Sequence, residues 1–283
     1  MPLRLLVIDG YDSLGQQSLL SSKSSLAGVL YKNMLARYVP DASIDILNIS
    51  LAAQPRLDLG SYDGVCWTGS NLQLSKPEKI VQRHIDTCRA LFAAGPPQFG
   101  SCWAAQLAAV AAGGEVKASP KGREFGLAHK IMLTEEGKNH PMYAGKPLVF
   151  DGFTSHGDIV TQLPEGAVLL AGNSFSSVQS LAVTYESGEF WAVQYHPEYD
   201  CGDLASLARA RQQALIGQGT FLNDDAAAAY CQTLETLNAD PKRHDIAWQL
   251  GFDDDVLNAE IRTLEVKNWL GHFFKLPEMP HNV

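Results

Sequence analysis

Between Pro97 and Gly114 the chain reads PQFGSCWAAQLAAVAAGG: a short apolar run behind paired prolines, a tight Gly-Ser-Cys-Trp-Ala passage, and an alanine-rich segment closed by paired glycines. The pattern predicts strand, sharp turn and helix, with Cys102 at the apex of the turn. That is a nucleophile-elbow arrangement, in which small neighbours permit a strained backbone and the side chain is held clear of the sheet edge. The partial positive charge at a helix N-terminus favours the thiolate form of a cysteine placed there. The elbow asks for glycine two residues to either side of the nucleophile; Gly100 meets this and Ala104 adds one methyl group. On these residues alone, a small buried hydrophobe is the competing account of Cys102.

The surrounding chain fits an α/β architecture. "LRLLVI", closed by Asp9-Gly10, is a continuous apolar run suited to a strand buried on both faces. A serine-rich stretch from Ser13 to Ser25 reads as a loop at the carboxyl edge of that strand, and a helix is expected from Leu26 to Tyr38. "SIDILNI" and "YDGVCWTGSN" are strand candidates, and Pro77 opens a helix running to Ala94. Strands alternating with helical patterns predict βαβ units and a doubly wound, mainly parallel sheet flanked by helices, flavodoxin-like. From Lys130 the texture turns to strands, "KIMLT", "PLVFDGFTSHGDIV", "AVLLAGNS", "SLAVTYE" and "FWAVQYHPE". Beyond Glu198 helices are expected near 202–216, 224–238 and 255–274, and Trp248, Leu250, Val256, Leu257, Ile261, Leu264, Val266, Trp269 and Leu270 are expected to line packed faces.

A formal net charge of −9 argues against a general nucleic-acid binder or a ligand of anionic membranes. Five scattered cysteines without CxxC spacing predict a reducing, cytoplasmic setting with neither a disulfide framework nor a zinc site. No window approaches the ~18 apolar residues of a membrane span. The other candidate chemistry lies in "VQYHPEYD". His196 and Glu198 are two apart on a segment read as extended, so they share a face, and the carboxylate is free to bond one imidazole nitrogen while the other serves a thiol.

"FGSCWAAQ", "GREFG", "SHGDIVTQLPEG" and "VQYHPE" occur in that order, and together they resemble the class I glutamine amidotransferase domain, most closely the amidotransferase part of GMP synthetase. The resemblance divides the chain into an amidotransferase domain, 1–200, and a helical C-terminal extension, 201–283, packed on the same domain. It implies glutamine hydrolysis through a γ-glutamyl thioester, releasing ammonia for a synthase partner, with no cofactor and no metal. Cys102 matches the nucleophile, His196 the base and Glu198 the orienting acid. The oxyanion hole is matched by the backbone N–H groups of Ser70 and Trp103, although the family has Gly-Gly-Pro where this chain has Gly69-Ser70-Asn71. Gly69, Gln106, Ser155, Gly157 and Asp158 match the substrate-binding positions. His156 is read as structural, and Arg123 with Glu124 as a structural ion pair.

The extension, about 83 residues with no pyrophosphate loop, cannot hold the synthetase's ATP-pyrophosphatase. The tail is expected to cover the sheet or to dock an acceptor synthetase subunit or a second copy in a homodimer. A γ-glutamyl peptidase acting on γ-glutamyl peptides or amides is the alternative activity, since it shares the thioester and differs in what leaves. A non-catalytic binding module has no need of all three of Cys102, His196 and Glu198. The remaining histidines, His84, His129, His140, His244, His272 and His281, are read as surface or satisfied polar groups, and Cys66, Cys88, Cys201 and Cys231 as packing residues.

Overall fold

The computed structural model describes residues 2–51, 59–76 and 78–275. Pro77 and His281, both read from the sequence above, lie outside them. The first half alternates as expected: β1 (Arg4–Asp9), α1 (Ser13–Ser21), α2 (Ala27–Tyr38), β2 (Ser43–Asn48), β3 (Gly64–Trp67), α3 (Lys79–Ala94), β4 (Gln98–Ser101) and α4 (Trp103–Ala111). Then come β5 (Glu115–Ala118), β6 (Glu124–Leu133), α5 (Glu135–Asn139), β7 (Val149–His156), β8 (Asp158–Gln162), β9 (Ala167–Gly172), β10 (Ser180–Tyr185) and β11 (Gly188–Val193). The remainder is helical: α6 (Cys201–Ala210), α7 (Gln212–Gly217), α8 (Asp224–Ala239), α9 (His244–Leu250), α10 (Asp254–Leu257), α11 (Ala259–Arg262) and α12 (Leu264–Phe274).

Nine strands form one sheet in the order β2-β1-β3-β4-β11-β10-β9-β6-β7. The five from β2 to β11 run parallel and the rest join antiparallel, while β5 and β8 make a separate ribbon. The reason β1 reads as an unbroken apolar run is visible in its packing. Leu6 and Ile8 enter the core under α3 and α4, and Leu5 and Val7 enter the opposite core under α2 and α12. Successive side chains of a strand point to opposite faces, so a strand covered on both sides has no polar position to spare.

Several expectations are corrected. Ser13–Ser21 is a helix and not a loop, because the Asp12 carboxylate accepts the Gly15 N–H and supplies the N-cap that serine composition obscures. "KIMLT" is the end of a strand that already begins at Glu124. The expected helix over 255–274 is three pieces, since Asn258 turns extended and caps α11 through the Glu260 N–H, and Thr263 breaks the chain again before α12. His244–Leu250 is an additional helix, and its Trp248 is 87% exposed instead of packed. His84 is neither a surface nor a satisfied group. It is buried edge-on to Trp103, with Nδ1 on the Ile80 carbonyl and Nε2 without a partner among the described residues.

The C-terminal helices reach the sheet in two places. Helices α6 to α9 share a core with Tyr11, Leu127 and Phe153. Helix α12 lays Val266, Trp269 and Leu270 against Phe99 and Trp191. It is also tied by a fully buried ion pair, Lys146 Nζ to Glu265 Oε1 at 2.9 Å, with the Tyr195 hydroxyl donating to Glu265 at 2.5 Å. A buried pair is a net stabiliser only while complete, because either charge left alone is desolvated without compensation. Lys146→Ala should therefore cost about 3–5 kcal/mol in urea unfolding, whereas the double change Lys146→Met/Glu265→Leu should recover most of the loss.

Candidate active site

The β4–α4 turn places Cys102 at φ 57°, ψ −110°, in the left-handed half of backbone space where non-glycine residues are strained. Its N–H donates to the Val193 carbonyl at 2.8 Å, which moors the turn to β11. Gly100 is needed here, since a Cβ on it would stand 2.5 Å from the Ala104 Cβ and 3.0 Å from the Trp67 carbonyl oxygen. The turn thus forms despite the methyl group at Ala104, with Gly100 making the room.

His196 and Glu198 meet this turn, but not on an extended strand. β11 ends at Val193, and a turn across Pro197 returns the Tyr199 N–H to the His196 carbonyl at 3.4 Å. Within the turn, His196 Nδ1 lies 2.7 Å from Glu198 Oε1 and donates to it. Glu198 Oε1 also accepts from the Ser101 hydroxyl at 3.0 Å, and Ser101 in turn accepts from the Tyr31 hydroxyl at 2.6 Å. The Tyr199 ring stacks on the imidazole, with centroids 4.0 Å apart and planes 7° from parallel. Arg262, from the C-terminal region, donates to the Pro197 carbonyl at 3.3 Å and steadies the turn from outside. Burial by itself would lower the His196 pKa. The Glu198 carboxylate, the Cys102 sulfur and hydrogen bonds to both side chains outweigh it and raise the value to about 9. Glu198 holds Nδ1 of the ring, and Cys102 Sγ approaches the Ser155 carbonyl at 3.8 Å.

A cleft of about 200 Å³ opens beside Cys102, lined among others by Ser70, Trp103, Gln106, Ser155, Gly157 and Asp158. Gly69 is not among the lining residues and packs instead against His196 and Cys102, where a Cβ on it would stand 3.1 Å from His196 Cε1 and 3.9 Å from Cys102 Sγ. The backbone N–H groups of Ser70 and Trp103 meet no acceptor among the described residues. The departure at Ser70-Asn71 is accommodated by side-chain bonds. Ser70 Oγ donates to the Gly10 carbonyl at 2.7 Å and accepts the Leu72 N–H at 2.9 Å. The Asn71 amide exchanges bonds with the Asp12 backbone and carboxylate at 3.1 and 2.9 Å.

Gln106, one turn along α4, donates to the Asp158 carbonyl at 2.8 Å and to Gln194 Oε1 at 3.1 Å. Asp158 itself accepts from the Ser75 N–H and hydroxyl at 3.2 and 2.7 Å. The expected ion pair between Arg123 and Glu124 is absent. Adjacent residues of a strand point to opposite sides, so Glu124 turns inward to His156 Nε2, Asn173 and Gln179, each at 2.8 Å. Arg123 faces the cleft instead. Two further lining residues carry no motif and lie past the recognisable segments: Arg211 and Ala214. The other four cysteines are buried and free, and burial pushes the thiols of Cys66 and Cys88 well up.

The sign of the His196 shift fixes a pH dependence. Its folded value is raised, so its contribution to stability is complete below the ordinary histidine value near 6.5 and is lost as pH rises through about 9. The melting-temperature gap between the wild type and Glu198→Gln should therefore narrow between pH 6.5 and pH 9.5 or so. Proton NMR should find the His196 imidazole titrating near 9 in the wild type and far lower in the variant, where burial remains and the carboxylate charge does not.

The model of the family described as glutamine amidotransferase class-I matches residues 28–208. A γ-glutamyl-L-1-hydroxyisopropylamide hydrolase of a Pseudomonas species is 33% identical over 279 residues, covering 95% of this chain and 92% of that protein. A glutamine-hydrolysing GMP synthase of Hahella chejuensis is 42% identical over 114 residues, 38% of this chain, and the match spans 21% of that protein's length. Among solved structures, a glutamine amidotransferase of Thermotoga maritima superimposes with a TM-score of 0.67 at 16% identity over 98% of this chain and 100% of its own. One from Methylobacillus flagellatus superimposes with a TM-score of 0.58 at 16% identity over 100% and 98%. These two share the fold. The chain belongs to the class I glutamine amidotransferase family.

Proposed function

We propose that the protein hydrolyses a γ-glutamyl amide bond through a thioester on Cys102. The observation that carries this reading is the His196–Glu198 pair close to Cys102 at the edge of a cleft, beside two backbone N–H groups without acceptors among the described residues. In the proposed reaction the proton of Cys102 already rests on His196 as an ion pair before attack, and the sulfur then attacks the γ-carbonyl carbon. The carbonyl electron pair moves onto oxygen, where the Ser70 and Trp103 N–H groups receive it; loss of one such donor typically costs about 3–4 kcal/mol of barrier. As the intermediate collapses, His196 gives its proton to the departing nitrogen and a γ-glutamyl thioester remains. Water then loses a proton to His196 and attacks the same carbon. The thiolate leaves and glutamate is released.

Glutamine, releasing ammonia, is the simplest donor. Ammonia transfer to an acceptor then calls for a synthetase subunit as partner. The specific observation favouring a larger leaving amine is the relative that matches nearly the whole chain, named for hydrolysis of a γ-glutamyl alkylamide, whereas the GMP synthase match covers 38% of it. We read residues 1–200 as the amidotransferase domain and 201–283 as an extension that contributes to the cleft wall. No helix among the described residues is long and apolar enough to cross a membrane, and the proposed setting is the cytoplasm.

The test is release of ammonia or amine from glutamine, γ-glutamyl peptides and γ-glutamyl alkylamides. Turnover of at least one donor, abolished in Cys102→Ala and lowered at least ~100-fold in His196→Gln, is the expected result. Undiminished turnover in Cys102→Ala would remove the proposal.

A further inference from the structure

The cleft beside Cys102 holds two guanidinium groups whose charge the proposed thioester chemistry does not use. Arg123 immediately precedes β6, with a Cβ on Gly157 falling 3.6 Å from its Nη2. Arg211 comes from the junction of α6 and α7, past the segment that matches the family model. Neither forms an ion pair with a carboxylate among the described residues. The acidic groups nearby are committed elsewhere: Asp158 to Ser75, and Glu124 to His156, Asn173 and Gln179. Arg211 is internally bonded, donating to the Ser155 hydroxyl at 2.6 Å, the Ser155 carbonyl at 3.4 Å and the Tyr11 hydroxyl at 3.4 Å. Arg123 donates through Nε to Gln218 at 3.1 Å, and its two Nη groups meet no acceptor among the described residues.

Arg123 and Arg211 are both partly buried, and charged side chains withdrawn from water are ordinarily paired, so two guanidinium groups with no carboxylate partner among the described residues, in one cleft of a chain with net charge −9, describe the sign of what binds there. The planar guanidinium offers two parallel donors, a geometry that matches a carboxylate. Burial, and then the neighbouring Arg211 charge, already lower the Arg123 pKa, a penalty that an anion in the cleft would relieve.

Resting on the γ-glutamyl reading above, we infer that Arg123 and Arg211 make this cleft a carboxylate subsite: Arg123 grips a carboxylate of the donor through its Nη groups, and Arg211 is a positioning residue that holds Ser155. Two carboxylates are available in γ-glutamyl donors, the α-carboxylate of the glutamyl group and one on the leaving amine.

The test compares the wild type, Arg123→Gln and Arg123→Lys on four compounds. These are glutamine, γ-glutamylglycine, γ-glutamylethylamide and 4-aminobutyramide, the last being glutamine without its α-carboxylate, assayed as substrate or competitive inhibitor. Arg123→Gln should raise KM by about 10- to 100-fold for donors bearing the recognised carboxylate, with kcat changed less than about twofold and partial rescue by lysine. A rise shared by the first three compounds and absent for 4-aminobutyramide assigns the α-carboxylate. A rise confined to γ-glutamylglycine assigns the leaving group. An equal effect on all four, or on none, overturns the subsite. Protection of Cys102 from iodoacetamide by glutarate is read in parallel because it needs no turnover. If the wild type hydrolyses no donor, the γ-glutamyl reading fails, while protection lost in Arg123→Gln and retained in the wild type still supports the subsite, and equal protection in both rejects it.

Discussion

Holding a non-glycine residue at φ 57°, ψ −110° costs about 1–3 kcal/mol, and much of the architecture around Cys102 serves to offset that cost. The turn is bound to β11 through the Val193 carbonyl, and Gly100 gives Ala104 the space to start α4 directly behind the sulfur. Because β4 lies between β3 and β11, the loops after both neighbours converge on the same edge. The loop after β3 brings Gly69 and Ser70, and the turn after β11 brings His196 and Glu198. Ligands of open α/β sheets bind at this carboxyl edge for the same geometric reason.

The C-terminal helices do more than cover the sheet. Arg262 bonds the Pro197 carbonyl, Arg211 bonds Ser155, and Gln218 bonds Arg123, so three contacts run from the extension to segments that border the cleft. The buried Lys146–Glu265 pair and the Trp269 face of α12 fix the far end of the extension on the opposite side of the sheet. A change that loosens these helices would thus reach the site through the Pro197 turn without touching Cys102.

What the sequence made legible was whatever is local. The strand–turn–helix around Cys102 follows from residue size and spacing within a dozen positions, and the His196–Glu198 bond needs a separation of two, although a proline turn and not a strand supplies it. What it hid was either compositional or long-range. Helix α1 was masked by serines because its formation depends on the single cap at Asp12. Arg123 and Glu124 are adjacent in a motif and so suggest a pair, yet strand geometry sends them to opposite sides, a fact that becomes informative only once β6 is known to begin there. Arg211, Tyr31 and Arg262 join the site from 109, 71 and 160 positions away from Cys102, with no spacing rule to announce them.

The central claim is that the strained sulfur at 102 acts as a nucleophile and is not a packed hydrophobe. Intact-mass spectrometry on rapidly acid-quenched enzyme, during turnover of a γ-glutamyl donor, tests it most directly. A hydroxylamine-labile glutamyl adduct that peptide mapping places on Cys102 is the predicted result. Steady turnover with no adduct on any cysteine, or an adduct mapped to Cys66, Cys88, Cys201 or Cys231, would contradict the account.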